Sequence, residues 1–392
     1  MKKYNKWNFA VVLLLILFIS GIVFFNVKQY IVVVGKDKTL ALEEKTELPE
    51  EIEVKIIDNE SQNQLTENKN EEIVAEEGLE SDAEQLTVTE DPEDGIVTDV
   101  NTSDSLKKFP ALTPPTEQNN NSNELKIGFV SDLHAMSTTS GNERLLKEPY
   151  MNKMNYFVEK MNNVFIPNFI ILNGDMIEGT RISSAVGSKE LSLVKNLLDR
   201  TVIEKYWSVG NHDLRSITKK QWMKVLGINY LYKSFEVGNY KIIILDSNFA
   251  KDDSDVCAGN RYTQGKVSEK ELKWLKAEVK DTDKKVIVFM HHPPLTNNDM
   301  DLNVELLSNA EDVQNIFSQY GVKAVFAGHI EDLYYKEING VDYINLPGIG
   351  KNPKYQGAFA EITVKGSKLT ININYLKEDG TYRVAHIEKN SD

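Results

Sequence analysis

From Leu125 onward, short apolar runs alternate with stretches of helical period, and each apolar run stops abruptly in polar residues. Leu125–Val130 (LKIGFV), Phe169–Leu172 (FIIL), Lys205–Val209 (KYWSV), Lys241–Asp246 (KIIILD), Val286–Met290 (VIVFM) and Val322–Ala327 (VKAVFA) have the length and composition of buried strands. Between them, Leu145–Val164, Lys189–Arg200, Ser268–Val279 and Val304–Tyr320 repeat apolar positions at helical spacing. Ser268 and Glu271 have the spacing of a capping box. Strand–helix alternation predicts an α/β domain over 125–392, with ligands at the carboxyl ends of the strands.

The N-terminal pattern differs. Phe9–Phe25 is an uncharged apolar run. At about 1.5 Å per residue it nearly spans a bilayer core of about 30 Å, and Val27 or Tyr30 extends it. Lys2, Lys3 and Lys6 precede it and predict a cytoplasmic N-terminus, with Trp7 and Tyr30 at the interfaces. The alternative is a cleaved signal peptide, but the run exceeds the usual h-region and only a weak site, Ser20–Gly21, lies within it. The expectation is an uncleaved anchor over 1–35, which puts the rest of the chain on the extracytoplasmic side of the cell membrane.

Residues 36–124 carry 25 acidic residues against 7 lysines, with few aromatics and scattered single apolar positions. Burial there cannot offset the entropy of ordering, so this stretch reads as a disordered acidic linker, extended by its own charge. That excess, with the four lysines of 1–35, accounts for the whole net charge of −14. Residues 125–392 are therefore balanced, and charge offers no case for nucleic-acid binding. Cys257 is the single cysteine, which excludes an intramolecular disulfide and a cysteine-based zinc site.

Five of the six histidines directly follow strands: His134, His212, His291, His292 and His329. A lone histidine is usually structural; clusters at successive strand ends point to a metal site. In order, the strand ends read Asp132-Leu133-His134, Gly174-Asp175-Met176-Ile177-Glu178, Gly210-Asn211-His212-Asp213, His291-His292-Pro293-Pro294 and Gly328-His329-Ile330-Glu331. This ordered set, over about 240 residues, resembles the calcineurin-like metallophosphoesterase superfamily. The resemblance implies a four-layer αββα sandwich holding two metal ions and hydrolysing phosphomono- or phosphodiesters with a metal-bridging hydroxide. It implies that Asp132 and His134 hold the first metal, that Asp175 bridges, and that Asn211, His291 and His329 hold the second. It implies that His212 protonates or hydrogen-bonds the leaving oxygen, with Asp213 as its orienting partner. Arg215 is a candidate for substrate phosphate. His292 and Asp246 read as structural neighbours, and His386 as a surface residue.

The last motif departs from the pattern. Glu331 stands where a second histidine, a ligand of the first metal, is expected. If it ligates directly, the added oxygen favours Mn or Fe over Zn, with Mg also admitted. It can also act through water. If the first site is instead lost, the domain becomes a non-catalytic surface binding protein on a degenerate phosphoesterase scaffold. Substrate choice would rest on the loops 137–148, 180–189, 251–265 and 295–303.

Overall fold

The computed structural model describes residues 52–58, 124–136, 148–256, 264–300, 306–350, 357–376 and 382–390, and for 52–58, 148–152 and 382–383 the backbone course alone. In chain order the elements are β1 (Ile52–Asp58), β2 (Glu124–Val130), α1 (Glu148–Lys160), β3 (Phe169–Asn173), α2 (Ser184–Leu198), β4 (Lys205–Ser208), α3 (Lys219–Leu226), β5 (Lys233–Val237), β6 (Tyr240–Ile244), α4 (Glu269–Lys280), β7 (Lys285–Phe289), α5 (Asn297–Met300), α6 (Ala310–Gln319), β8 (Ala324–Ala327), β9 (Tyr334–Ile338), β10 (Val341–Asn345), β11 (Ala358–Lys365), β12 (Lys368–Leu376) and β13 (Tyr382–Asn390).

They form two mixed sheets. The first has the order β1-β13-β12-β11-β2-β3-β4 and the second β5-β6-β7-β8-β10-β9. β2, β3 and β4 are parallel neighbours, as are β6, β7, β8 and β10. The period-2 geometry of a strand sends alternate side chains to opposite faces, so a strand buried on both sides reads as continuous apolar sequence. Phe169 and Ile171 of β3 join Ile242, Ile287, Phe289 and Phe326 in the core between the sheets. Ile170 and Leu172 point outward, to a second core shared with Phe157, Leu191, Val194 and Trp222 of the flanking helices. In the second sheet Ile243 and Val288 likewise face Leu275, Val313 and Phe317 of α4 and α6. Three apolar layers thus separate four layers of secondary structure.

Local chemistry explains the helix ends. Ser183 caps α2 by accepting the Val186 N–H. Thr218 and Gln221 form a reciprocal capping box on α3. Ser268 caps α4 through the Glu271 N–H, but the box is half-made: the Glu271 carboxylate instead accepts the Asp246 N–H at 2.8 Å.

Several elements depart from the sequence pattern. Ile52–Asp58 lies inside the acidic stretch yet pairs antiparallel with β13, from Ile52 opposite Lys389 to Asp58 opposite Arg383. α6 begins at Ala310, later than its apolar period suggests. α3 and the antiparallel run β11–β13 add elements that strand–helix alternation does not announce. Apart from Glu124, which opens β2, the remainder of the acidic linker and the whole apolar run Phe9–Phe25 lie outside the described residues. Among the described residues no helix is long and apolar enough to cross a membrane.

Candidate metal centre

Parallel neighbours share an edge for their carboxyl ends, and the five motifs meet on that edge. Asn173 joins the sheets there: its side-chain amide donates to the Met290 carbonyl at 2.9 Å. The loop after β2 lies along the loop after β3, with Asp132 N–H on Gly174 O at 3.0 Å and His134 N–H on Asp175 O at 2.9 Å.

The sequence pattern treats 132–134 as extended, which would put Asp132 and His134 on one side. The structure brings them together by a different route. Asp132 (φ 54°), His134 (φ 49°), Asp175 (φ 52°), His329 (φ 68°) and Glu331 (φ 58°) all occupy the left-handed region. Only four other non-glycine residues do so among the described residues. Such residues are strained and concentrate where side chains must be aimed. Gly174, at φ 86°, has no room for a side chain: a Cβ there would lie 2.6 Å from His291 Nδ1.

Two groups of donor atoms result, joined by Asp175. In the first, the buried His134 Nε2 has no hydrogen-bond partner and faces three carboxylates. Glu331 Oε1 is 3.3 Å away, Asp175 Oδ2 3.7 Å and Asp132 Oδ1 3.9 Å. In the second, Asn211 Oδ1 lies 3.1 Å from both His291 Nε2 and His329 Nδ1. Asp175 Oδ2 is 3.2 Å from His291 Nε2. Its other oxygen accepts the His212 N–H at 2.7 Å. The outer nitrogen of His291 contacts Asn173 O at 2.9 Å, and that of His134 contacts Glu178 Oε2 at 3.0 Å. A ring nitrogen held from behind, with the other aimed at an anionic pocket, is the usual arrangement of a metal-ligating histidine. The donor set therefore fits two cations.

The titration behaviour agrees. Burial, reinforced by Asp175 and Glu331, pushes the Asp132 carboxyl up to about 7. Burial works against protonation of His291, but the Asp175 charge prevails and raises it to about 9. His134 also rises well above the usual imidazole range: burial opposes this and is outweighed by its bond to Glu178 and by the facing Glu331 and Asp175 carboxylates. Asp175 falls well below the carboxylate range, because His291 and His212 outweigh its burial. Protons on His134 and His291 would compete with cations for the same ring nitrogens. Ligation needs those lone pairs, so metal uptake near pH 7 is expected to release protons. Apparent affinity should fall about tenfold per proton per pH unit as pH drops below the His291 value of about 9. Calorimetric titration with Mn²⁺ in two buffers of different ionisation enthalpy reads this directly; a buffer-independent heat would contradict it.

Asp213, His212 and Arg215 are connected differently from the sequence reading. Asp213 does not orient His212. Its buried carboxylate accepts the N–H groups of Gly210 at 3.0 Å and Ile177 at 3.1 Å, fixing the turn beneath the site. Burial and the Asp175 charge raise it to about 7. The partner of His212 is Glu178, whose Oε2 lies 3.2 Å from Nδ1 and whose backbone oxygen lies 3.1 Å away. Glu178 is held well below the carboxylate range, its bonds to His134 and His212 outweighing burial. Arg215 is folded into the same network. Nη1 donates to Thr180 Oγ1 at 2.9 Å, approaches His212 Nδ1 at 2.9 Å and lies 3.5 Å from Glu178 Oε1. Asp246 is a buried ion-pair partner of Lys219 at 2.7 Å. His386 lies on β13, with Nδ1 2.7 Å from Asn372 Oδ1. Sequence reasoning missed Glu178, although its place three residues after Asp175 was visible.

A calcineurin-like phosphoesterase family model matches residues 125–330. The chain is 25% identical over 230 residues to a 3′,5′-cyclic-nucleotide phosphodiesterase of Nostoc sp., covering 57% of this chain and 77% of that one. It is 28% identical over 171 residues to the "Probable glycerophosphodiester phosphodiesterase GpdQ" of Arcobacter nitrofigilis, covering 42% of this chain and 56% of that one. Among solved structures, a dimetal phosphatase from Danio rerio superposes with a TM-score of 0.55 at 16% identity, covering 68% of this chain and 99% of that one. With five strand-end motifs converging on one pocket, the chain belongs to the calcineurin-like phosphoesterase family. It is a metal-dependent phosphoesterase.

Proposed function

We propose that the protein is a membrane-tethered, extracytoplasmic phosphodiesterase with a dinuclear centre. The observation that carries the reading is the pair of donor groups sharing Asp175. Asp132, His134, Asp175 and Glu331 would hold the first ion, and Asp175, Asn211, His291 and His329 the second. Two such ions supply Lewis acidity toward the phosphoryl oxygens and a nucleophile from water near neutral pH. The chain's own part in the chemistry is geometric and protonic. His212 stands beside the pocket, its ring edge-on to His134 at 4.3 Å between centroids. Held from behind by Glu178, it can donate a proton from Nε2 to a departing alkoxide. The relatives named as cyclic-nucleotide and glycerophosphodiester phosphodiesterases support diesters over monoesters.

Phe9–Phe25 supports the tether, and fractionation of the full chain against one lacking 1–35 tests it. For the chemistry, the full chain is stripped of metal, reloaded with Mn²⁺ and assayed on bis(p-nitrophenyl) phosphate and p-nitrophenyl phosphate. Metal-stimulated hydrolysis that is faster on the diester is expected. No stimulated hydrolysis of either would defeat the proposal in favour of a binding protein.

Glu331 lies against His134 Nε2 rather than turned away, which supports ligation over decay of the site. Three carboxylates around one imidazole favour Mn or Fe. Glu331→His is expected to raise the ratio of Zn- to Mn-supported turnover by about tenfold, as a nitrogen ligand replaces an oxygen. Unchanged metal content and turnover would remove Glu331 from the ligand set.

A further inference from the structure

The strand β6 ends at the site edge in Asp246-Ser247-Asn248, three polar residues with no exposed surface and no place in the ligand set. The Ser247 and Asn248 side chains bond to the two turns that carry the proposed second-metal ligands. The Ser247 hydroxyl accepts the His292 N–H at 3.2 Å and lies 2.8 Å from His292 Nδ1. Among the described residues Nδ1 is the acceptor within reach of this buried hydroxyl hydrogen, so the O–H donates to it and the ring proton resides on Nε2. His292 is thereby fixed between two candidate ligands, its centroid 4.4 Å from that of His329 and 5.0 Å from that of His291. Gly265 closes the other side, where a Cβ would come within 2.5 Å of the ring.

Asn248 reaches the other turn. Its amide donates to Val209 O at 2.7 Å, two residues before Asn211. Asp246 sets Asn248 in place by accepting its N–H at 2.9 Å, while Lys219 of α3 pins the same carboxylate at 2.7 Å. Ser208 adds a bond to Leu245 O at 3.3 Å. The Asn211 turn comes from the first sheet and the His291–His292 turn from the second. The residues after β6 are bonded to both.

We propose that Ser247 and Asn248 are positioning residues for the second metal ion, holding the Asn211 turn and the His291–His292 turn at a fixed separation across the two sheets. This rests on the ligand assignment proposed above. Among the described residues the Ser247 and Asn248 side chains bond to the His291–His292 turn and the Asn211 turn, so disturbing them should act chiefly on the second ion. Partners that orient ligands typically contribute about 10–100-fold in metal affinity.

Full-length protein stripped of metal is titrated with Mn²⁺ alone, and free Mn²⁺ is counted by electron paramagnetic resonance. Two ions are expected for the wild type; fewer would overturn the ligand assignment and the clamp with it. Ser247→Ala and Asn248→Ala are each expected to weaken one ion about 10–100-fold and leave the other within about threefold. In a Glu331→Ala background, where the remaining tight ion occupies the second position, adding Ser247→Ala should abolish tight binding. Both ions within about threefold of wild type in the single variants would overturn the clamp while the ligand assignment stands. Ser247→Thr keeps the hydroxyl and should restore the second ion; an equal loss in the Ala and Thr variants would assign the effect to packing and overturn the proposal.

Discussion

Asp175→Asn is expected to lower turnover by about 10³-fold, the upper range for loss of a single electrostatic stabiliser, and to cost the protein metal at both positions. One oxygen of Asp175 accepts the His212 N–H and the other faces His134 and His291. An asparagine can keep the first contact through its carbonyl. Its amide would then present N–H groups to two imidazoles whose free nitrogens need an anion or a cation between them. The charge that raises His291 also disappears, so proton release on metal uptake should shrink in the same variant. The fold should survive, because the substitution is isosteric and the loop is anchored by backbone bonds from Asp132 and His134. Metal content by elemental analysis, turnover with excess Mn²⁺ and a melting curve separate these effects. Two tightly bound ions and activity within tenfold of wild type would rule out Asp175 as the shared ligand.

His212→Ala should leave both ions in place and remove the proton donor. General acid catalysis contributes roughly 10²–10⁴-fold, but only where the leaving group needs a proton. The loss is therefore expected to be large for alkyl diesters and small for nitrophenyl diesters, whose leaving anion is already stable. Glu178→Gln should show the same dependence on leaving group with a smaller amplitude. The amide keeps the shape of the side chain and its reach to Thr180, but loses the charge that faces Nδ1 of His212. Equal losses on both substrate types would place His212 in binding or packing rather than in protonation.

How much of this was readable in the chain depended on whether the signal was local. The buried parallel strands read clearly because both faces are apolar and each run ends where its polar cargo begins. Residues such as Asp132, His134, Asn211 and His329 stood out because they cluster at those ends. The antiparallel strands β11–β13 lack intervening helices and gave no alternation to follow. Ile52–Asp58 was concealed by the composition of its surroundings, although its apolar residues suit an edge strand. Asp213 was misread through adjacency: a tight turn sends its carboxylate to backbone N–H groups, not to the neighbouring imidazole. Glu178 and the Ser247–Asn248 pair are ordinary residues in the sequence. Their roles arise from contacts 34 to 45 positions away along the chain, which only the folded topology brings together.

The left-handed backbone at five candidate ligands also bears on the durability of the protein. Each such residue costs about 1–2 kcal/mol relative to relaxed backbone. Five in one pocket are comparable with the roughly 5–15 kcal/mol that keeps a whole domain folded. Glycine would relieve the cost at any of them and would delete the ligand, so these loops embody a trade of resilience for reactivity. Bound cations would return that stability through mass action. Scarcity of metal would then limit how long each molecule lasts as well as how fast it works.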